Sequence, residues 1–249
     1  MGLPAMEQIV RLVEAVGSVD DLTAAMIELT AMLGFQFFAL SHHVDIRNAA
    51  PSALRLHNYP QAWADFYDEC GFGVSDPVHR ASQMTSLGFG WAAIPALIPL
   101  TPRDRRMLEL GSEQGIGDGF TVPANVPGEA HGSCSFARIA PRAMDHETRG
   151  LAQLAGTFAF EGARRLHSHR LHPEGITVPK LTDRQRDCVL WAARGKSDWE
   201  ISRILDVGEE TVIRHVKQAR ERYGVPKRSL LIIRALFDGL FCFDDIFRK

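Results

Sequence analysis

The sequence predicts an α+β protein: an N-terminal α/β/α sandwich around an antiparallel sheet, joined to a C-terminal all-α domain of four helices. Three observations lead to this prediction. Toward the N-terminus, segments with strand composition mostly follow one another and have helical segments at both ends. A polar segment with two prolines and a glycine, residues 171–179, then interrupts the pattern. Beyond it, apolar residues recur at helical spacing. We therefore expect a first domain over 1–170, a linker over 171–179 and a second domain over 180–249.

The elements of the first domain follow in order. Apolar residues at helical spacing predict amphipathic helices over 9–16 and 22–33. The segments GFQFFALSHHVD and SALRLHN predict two strands, and a helix is expected to begin near Pro60. A short strand is predicted at SLGFGWAA, followed by a helix capped by Thr101. Two further strands, DGFTVPAN and GSCSFARI, flank a Gly/Pro turn, and a long helix over about 145–171 closes the domain.

Composition narrows the functional classes. Residues 1–173 carry 13 basic and 18 acidic side chains, whereas residues 174–249 carry 15 and 12, so the second part is the one suited to phosphate. No apolar run is long enough for a transmembrane helix, so no membrane partner is expected. The four cysteines are far apart and form no CxxC pair, which argues against a structural zinc site or a disulfide framework and favours a cytoplasmic protein.

Three histidines near the linker raise the question of a metal site. His167, His169 and His172 suggest either metal ligands or the solvated end of a helix. No acid or cysteine completes the set, so we expect the solvated helix end and no metal.

The second domain is predicted from its helix signals. Thr182 is suited to cap one helix that ends at Gly195, and Ser197 with Glu200 forms a capping box for the next. After the short break DVG comes EETVIRHVKQARERYG, so the second and third helices form a helix-turn-helix. The outward surface of the third helix carries six polar residues: Glu210, Thr211, Arg214, Lys217, Gln218 and Arg220.

This surface has two interpretations. An α-helix fits the major groove of DNA, where Arg214 and Lys217 suit guanine edges or phosphates and Gln218 suits adenine. The other interpretation is a solvated charged face on a small helical bundle.

The residues of the second domain closely resemble the LuxR-type helix-turn-helix. The segments LTDRQRDCVLWAARGKSDWEISRIL and TVIRHV keep nearly every family spacing, and the resemblance covers about 65 residues. It implies binding to double-stranded DNA and makes His215 a packing residue. Two positions depart from the family pattern, which usually has Glu in place of Gln185 and Leu in place of Val189. Gln185 keeps the shape and one acceptor but loses the charge.

The last helix has more apolar side chains than one small module can bury. They are Leu230, Ile233, Ala235 and Phe237. We expect a second copy of the chain to cover them, which predicts a homodimer.

The stretch HNYPQAWADFYDECGFGVSDPVHR in the first domain raises a separate question. Tyr59, Trp63 and Tyr67 recur at i, i+4 and i+8, which places them on one face of a helix. Aromatic residues at this spacing are usually core. However, Asp76 follows, and a carboxylate, an indole N–H and a phenol O–H each need a partner when buried. A polar ligand would satisfy several of these groups together.

These residues resemble the signature of the acyl-homoserine-lactone receptors, the quorum-sensing branch of the LuxR type, over nearly the whole chain. The signature falls on Tyr59, Trp63, Tyr67, Asp76-Pro77, Trp91 and Gly132. The resemblance implies a transcriptional regulator with an N-acyl-homoserine lactone as signal ligand, no catalytic cofactor, and a palindromic operator bound by a dimer.

The resemblance also implies roles for the individual side chains. Trp63 donates to the lactone carbonyl, Asp76 accepts from the amide N–H, and Tyr59 with Ser135 donates to the amide carbonyl. Trp91 packs against the lactone ring and Tyr67 lines the wall. The acyl chain is expected to pass some of seven apolar residues: Phe38, Leu40, Leu56, Phe66, Leu110, Phe120 and Val122.

Two alternatives stay open at this point. A lactone or amide hydrolase would use Ser135, a histidine and Asp76 as a triad, but the chain has no G-x-S-x-G motif and Ser135 is expected within a strand. The nearer alternative keeps the DNA-binding architecture and changes the signal to an aryl-homoserine lactone, a non-lactone molecule or no ligand.

Overall fold

The computed structural model describes residues 2–44, 54–126, 130–171 and 178–247. These residues form two compact units; among the described residues the first unit ends at Leu171 and the second begins at Val178. His172 and most of the predicted linker lie outside the described residues, as do the side chains of His167 and His169.

The first unit is built on a five-stranded antiparallel sheet. Its strands are β1 (Phe37–His42), β2 (Arg55–His57), β3 (Phe89–Gly90), β4 (Asp118–Ala124) and β5 (Gly132–Arg138). Their order across the sheet is β2-β1-β5-β4-β3, and every neighbouring pair is antiparallel. The long strands β4 and β5 lie in the middle, and the shortest strands lie at the edges.

Helices α2 (Val19–Met32) and α8 (His146–Leu171) cover one face of this sheet, and α1 (Gly2–Glu14) packs against both of them. Ser18 caps α2 by accepting a hydrogen bond from the N–H of Asp21. Alternate strand residues, among them Phe38, Leu40 and Phe136, are fully buried against these helices and form the main core.

Shorter helices cover the other face. They are α3 (Gln61–Glu69), α4 (Phe72–Ser75), α5 (Pro77–Ser82), α6 (Ile94–Leu97) and α7 (Pro102–Glu113), with a 3-10 turn over Trp91–Ala93. With helices on both faces of an antiparallel sheet, the predicted α+β sandwich is confirmed. Two local expectations are wrong. Tyr59 precedes the N-cap Pro60 and is not on the helix, and Trp91 lies in the 3-10 turn after a two-residue strand.

The second unit is all-helical. Its helices are α9 (Asp183–Ala193), α10 (Asp198–Leu205), α11 (Glu209–Arg222), α12 (Arg228–Phe237) and the short α13 (Phe243–Phe247), which the sequence did not predict. Capping boxes begin α9 and α10, as Thr182 and Ser197 each bond to the residue three positions later. Asp206 ends α10 in the left-handed conformation (φ 52°), which allows the tight joint to α11.

One residue of the predicted excess apolar face lies in the core instead. Ala235 is fully buried, together with Leu231 on the same side of α12. Leu230, Ile233 and Phe237 remain exposed, at 41%, 62% and 41% of their surface.

Among the described residues, no helix is both long and apolar enough to cross a membrane.

Candidate functional site

A pocket lies between the sheet and helices α3, α5 and α7. It encloses about 850 Å³ of space, its open mouth included. All six side chains that the sequence singled out for the ligand line it: Tyr59, Trp63, Tyr67, Asp76, Trp91 and Ser135. They come from α3, the segments flanking α3, the start of α5, the 3-10 turn and β5, so the fold brings together residues far apart in sequence.

The aromatic residues reach the pocket by two routes. Trp63 and Tyr67 lie one turn apart on α3 and share its inner face, with ring centroids 6.0 Å apart. Tyr59 reaches the same space from the connection between β2 and α3, where its ring packs on His57 and Phe37 at 5.8 and 6.1 Å. The three rings therefore converge on one space, although they do not form one stripe on a helix.

The carboxylate of Asp76 is buried and already holds two hydrogen bonds. As the N-cap of α5, its Oδ1 accepts from the N–H of Val78 at 2.7 Å. Its Oδ2 accepts from the hydroxyl of Tyr67 at 2.7 Å. The partners that the sequence led us to expect from a ligand are therefore supplied to this carboxylate by the protein itself. Tyr67 does more than line the wall, because it orients Asp76.

The phenol of Tyr67 stays protonated in this setting. Burial raises the pKa of Tyr67 well above its ordinary value, and the charge of Asp76 and their hydrogen bond raise it further. Burial also raises the pKa of Tyr59, with Asp76 again contributing. Both phenols are consequently hydrogen-bond donors at neutral pH.

A chain of polar groups supports Ser135. The indole N–H of Trp91 donates to Oγ1 of Thr121 at 2.9 Å, and this hydroxyl lies 2.8 Å from Oγ of Ser135. Because the Thr121 hydroxyl already accepts from Trp91, it can donate its own hydrogen bond to Ser135. The hydroxyl of Ser135 can then donate to a group in the pocket. Thr121 faces Ser135 across the β4–β5 pair.

Two donors in the pocket are uncommitted. The hydroxyl of Tyr59 and the indole N–H of Trp63 make no hydrogen bond with the other described residues, although Trp63 is buried. The pocket thus offers two free donors, the Ser135 hydroxyl, and a carboxylate oxygen of Asp76 that retains acceptor capacity.

The apolar wall differs from the expectation. Of the seven residues predicted along the acyl chain, Leu56 alone lines the pocket. Phe38, Leu40, Phe120 and Val122 belong to the core on the opposite face of the sheet. The reason is the period-two alternation of strands, which turns their neighbours Ala39, Thr121 and Ser135 toward the pocket side. Phe66 is partly exposed on α3, and Leu110 packs beside Trp63.

Gly132 has a packing role in this structure. A Cβ atom there would lie 2.4 Å from Cζ of Phe160 on α8 and 3.0 Å from the carbonyl oxygen of Ser41. The glycine therefore permits close approach of α8 to β5 rather than contact with a ligand.

The outward face of α11 is the candidate nucleic-acid interface. Val212, Val216 and Ala219 are buried, which turns the opposite side of the helix to solvent. Glu210, Arg214, Lys217 and Gln218 are exposed, whereas Thr211 and Arg220 are half-buried.

Two of the six side chains on this face make hydrogen bonds within the unit, and Lys217 lies 4.0 Å from the carboxylate of Glu221. Nη1 of Arg220 donates to the carbonyl oxygen of Pro226 at 2.6 Å, which ties it to the connection before α12. Oε1 of Gln218 accepts from Nε2 of Gln185 on α9 at 3.0 Å. Sequence reasoning identified these residues but gave no sign of either bond.

Family models match both units of the chain. Residues 18–163 match the autoinducer binding domain, and residues 179–235 match the bacterial regulatory proteins of the luxR family. The chain belongs to the LuxR family of transcriptional regulators. This confirms the resemblance seen in the sequence, and it makes the chain a regulator with a signal-binding and a helix-turn-helix domain rather than a hydrolase.

Three relatives of this LuxR-family regulator illustrate the match. The quorum sensing-dependent transcriptional regulator RpaR of Rhodopseudomonas palustris is 30% identical over 92% of this chain and 94% of its own. The transcriptional activator VanR of Vibrio anguillarum is 28% identical over 94% and 98%. The HTH-type regulator y4qH of Sinorhizobium fredii is 31% identical over 80% of this chain, which spans 60% of that relative.

Solved structures share the fold. SdiA in complex with octanoyl-rac-glycerol has a TM-score of 0.65 at 21% identity, covering 94% of both chains. The N-acylhomoserine lactone-dependent LuxR-family factor CepR2 of Burkholderia cenocepacia has a TM-score of 0.53 at 16% identity, over 68% of this chain and 96% of its own.

Proposed function

We propose that the N-terminal domain binds an N-acyl-homoserine lactone in the pocket, and that the C-terminal domain binds a palindromic DNA site as a homodimer. The domain boundaries we propose are those expected from the sequence: 1–170, a linker over 171–179, and 180–249. Such a regulator acts on bacterial DNA, so its proposed location is the cytoplasm.

The observation that carries the ligand assignment is the set of polar groups that converge in the pocket. An acylated homoserine lactone has two carbonyl oxygens that accept and one amide N–H that donates. The pocket holds three donors, on Tyr59, Trp63 and Ser135, and one anionic acceptor, on Asp76. The numbers and signs of these groups are complementary.

Each polar group has one proposed partner. Trp63 N–H donates to the lactone carbonyl, and Oδ2 of Asp76 accepts from the amide N–H. The hydroxyls of Tyr59 and Ser135 donate to the amide carbonyl. The Trp91 ring covers the lactone ring, while Tyr67 holds Asp76 in place through its 2.7 Å hydrogen bond.

A second ligand class is kept because of one comparison. SdiA shares the fold and binds octanoyl-rac-glycerol, an ester without an amide. The glycerol hydroxyls of that ligand could also donate hydrogen bonds to a carboxylate such as Asp76. Titration calorimetry of the purified protein with octanoyl-homoserine lactone, the ring-opened octanoyl-homoserine and octanoyl-rac-glycerol separates the candidates. We expect the lactone to bind tightest. Tighter binding of the glycerol ester would replace the amide assignment, and no binding by any of the three would remove it.

The DNA proposal rests on α11 and α12. Arg214 and Lys217 are exposed on α11, where they suit phosphates and guanine edges. The exposed Leu230, Ile233 and Phe237 on α12 suit burial against a second copy, and two recognition helices fit half-sites about one helical turn apart. Sedimentation of the liganded protein with a bound duplex should give two chains per duplex. A tight complex of one chain per duplex would contradict the proposal.

A further inference from the structure

A chain of hydrogen bonds runs from the start of α9 to the outward face of α11. The backbone N–H of Thr182 donates to Oε1 of Gln185 at 3.1 Å, and Nε2 of Gln185 donates to Oε1 of Gln218 at 3.0 Å. Gln185 is 2% exposed, so its amide is held inside the domain. Gln218 is exposed and lies one turn after Arg214 on the same face of α11.

The first donor in this chain fixes the orientation of both amides. A backbone N–H can only donate, so the atom of Gln185 that meets it is the carbonyl oxygen. The other end of that amide is then the NH2 group, which can only donate to Gln218. Gln218 must meet it with Oε1, so the NH2 group of Gln218 is the end left for an external partner.

We propose that Gln185 sets the hydrogen-bonding polarity that Gln218 shows to DNA: it holds Oε1 of Gln218 toward α9 and leaves the NH2 group as the end that meets DNA. The inference rests on the proposed function, in which α11 enters the major groove. The partner of Gln218 is then an acceptor: a phosphate oxygen, N7 of either purine, O6 of guanine or O4 of thymine. The two-sided contact that distinguishes adenine also needs Oε1 to accept from N6–H2, and Oε1 is turned to α9.

The substitution Q185E inverts this polarity with almost no change of shape. One carboxylate oxygen still accepts from Thr182, so the capping box survives. The second oxygen can only accept, so Gln218 must turn its amide over and donate to it. Gln218 then shows an oxygen to the DNA, which is repelled by phosphate and which selects amino groups of cytosine or adenine. Gln185 is thus a positioning residue that acts through Gln218.

The test uses the full-length protein and a pool of duplexes with a randomised central segment. The wild type and the variants Q185E, Q218A and Q185E/Q218A are compared on the duplex that the wild type selects and on a scrambled duplex. We expect Q185E to weaken binding to the selected duplex about tenfold when Gln218 is present. In the Q218A background it should weaken binding about threefold or less, which is the effect of the added charge alone.

The two possible partners of Gln218 give different results. If it contacts a base edge, Q185E selects a different base at one position of each half-site. If it contacts a phosphate, Q185E selects the same sequence with lower affinity. An equal effect of Q185E in both backgrounds would overturn the inference, because Gln185 would then not act through Gln218.

Folding and the underlying function are controlled separately. Circular dichroism should show that Q185E is folded. If it is not, Q185M replaces it, because Met frees Gln218 without adding a charge. Q185M should broaden the base preference if Gln218 contacts a base, and should weaken binding only slightly if Gln218 contacts a phosphate. Unchanged preference and affinity with Q185M would also overturn the inference. If the wild type enriches no sequence, the proposed DNA binding fails, and this inference fails with it.

Discussion

Replacing Asp76 with Asn tests the ligand assignment most directly. Oδ1 of Asp76 caps α5 through the Val78 N–H, and an Asn side chain caps a helix equally well with its own Oδ1. The second position of the side chain then carries an NH2 group where Oδ2 now accepts from Tyr67. Tyr67 can turn its hydroxyl and accept from this group, but the amide N–H of a lactone ligand would face another donor.

The size of the effect follows from the charge on the lost acceptor. A hydrogen bond to a charged group contributes about 1.5–3 kcal/mol, so the Kd should rise about 12- to 150-fold. At a ligand concentration about 100 times the wild-type Kd, the ligand stabilises the wild type by about 2.7 kcal/mol. The same concentration should stabilise Asp76→Asn by about 0.3–1.3 kcal/mol.

Trp63→Phe provides the matched comparison within the same pocket. It removes a neutral donor and keeps an aromatic ring, at a cost of about 0.5–1.5 kcal/mol in binding. The ligand should therefore still stabilise this variant by about 1.3–2.2 kcal/mol. Losing the charged acceptor of Asp76 should therefore reduce the stabilisation by ligand more than losing the neutral donor of Trp63.

The Tm of the wild type, Asp76→Asn and Trp63→Phe is measured by thermal unfolding at a series of lactone concentrations. For a chain of this size, each kcal/mol moves the Tm by about 2–4 °C. The wild type should shift by about 5–11 °C and Asp76→Asn by about 1–5 °C. Their unliganded Tm values should be close, because the cap of α5 is retained. Equal shifts in the wild type and Asp76→Asn would refute Asp76 as the amide acceptor.

Three further predictions concern packing, assembly and pH. Gly132→Ala should destabilise the protein by about 1–3 kcal/mol in urea unfolding, because its Cβ would lie 2.4 Å from Cζ of Phe160. An unchanged urea midpoint would mean that α8 can shift away from β5 at little energetic cost. Ile233→Lys should leave the fold intact and weaken DNA-linked dimerisation in sedimentation, since a charge cannot be buried against a second copy. The pKa of Glu200 is lowered to about 2, first by the backbone N–H of Ser197, so its charge stabilises the folded state above its ordinary pKa of 4.5. The Tm loss in Glu200→Gln should accordingly be largest at neutral pH and shrink as the pH falls from 4.5 toward about 2, and a pH-independent loss would contradict this.

The sequence predicted those features that local chemistry determines. Capping boxes, helix periodicity and the turn before β5 predicted the strands and the helices of eight residues or more, because caps and apolar spacing act within a few residues. The short helices α4, α5 and α6 were not predicted. The residues proposed to bind the ligand were identified by resemblance, and they do line one pocket. The extra helix α13 escaped prediction because its five residues are too few to show a helical period of apolar side chains.

The partners of those residues could not be predicted, for a physical reason. The pairing of Thr121 with Ser135 depends on the register between β4 and β5, and no single strand carries that information. For the same reason Phe38 and Phe120 were wrongly expected along the pocket. The sequence of one strand does not determine which of its two faces is turned to the pocket until the neighbouring strands are known.

The satisfied groups decide what the pocket can still recognise. A polar side chain that has already met its partner inside the protein contributes orientation, and only its remaining donor or acceptor contributes recognition. The hydroxyl of Tyr67 donates a hydrogen bond to Asp76, and the indole N–H of Trp91 donates to Thr121, so neither is free to donate to a ligand. The indole N–H of Trp63 and the hydroxyls of Tyr59 and Ser135 stay available to donate. Selectivity for the head of the ligand should therefore follow Trp63, Tyr59, Ser135 and the open side of Asp76. Tyr67 acts through Asp76, and Thr121 acts through Ser135.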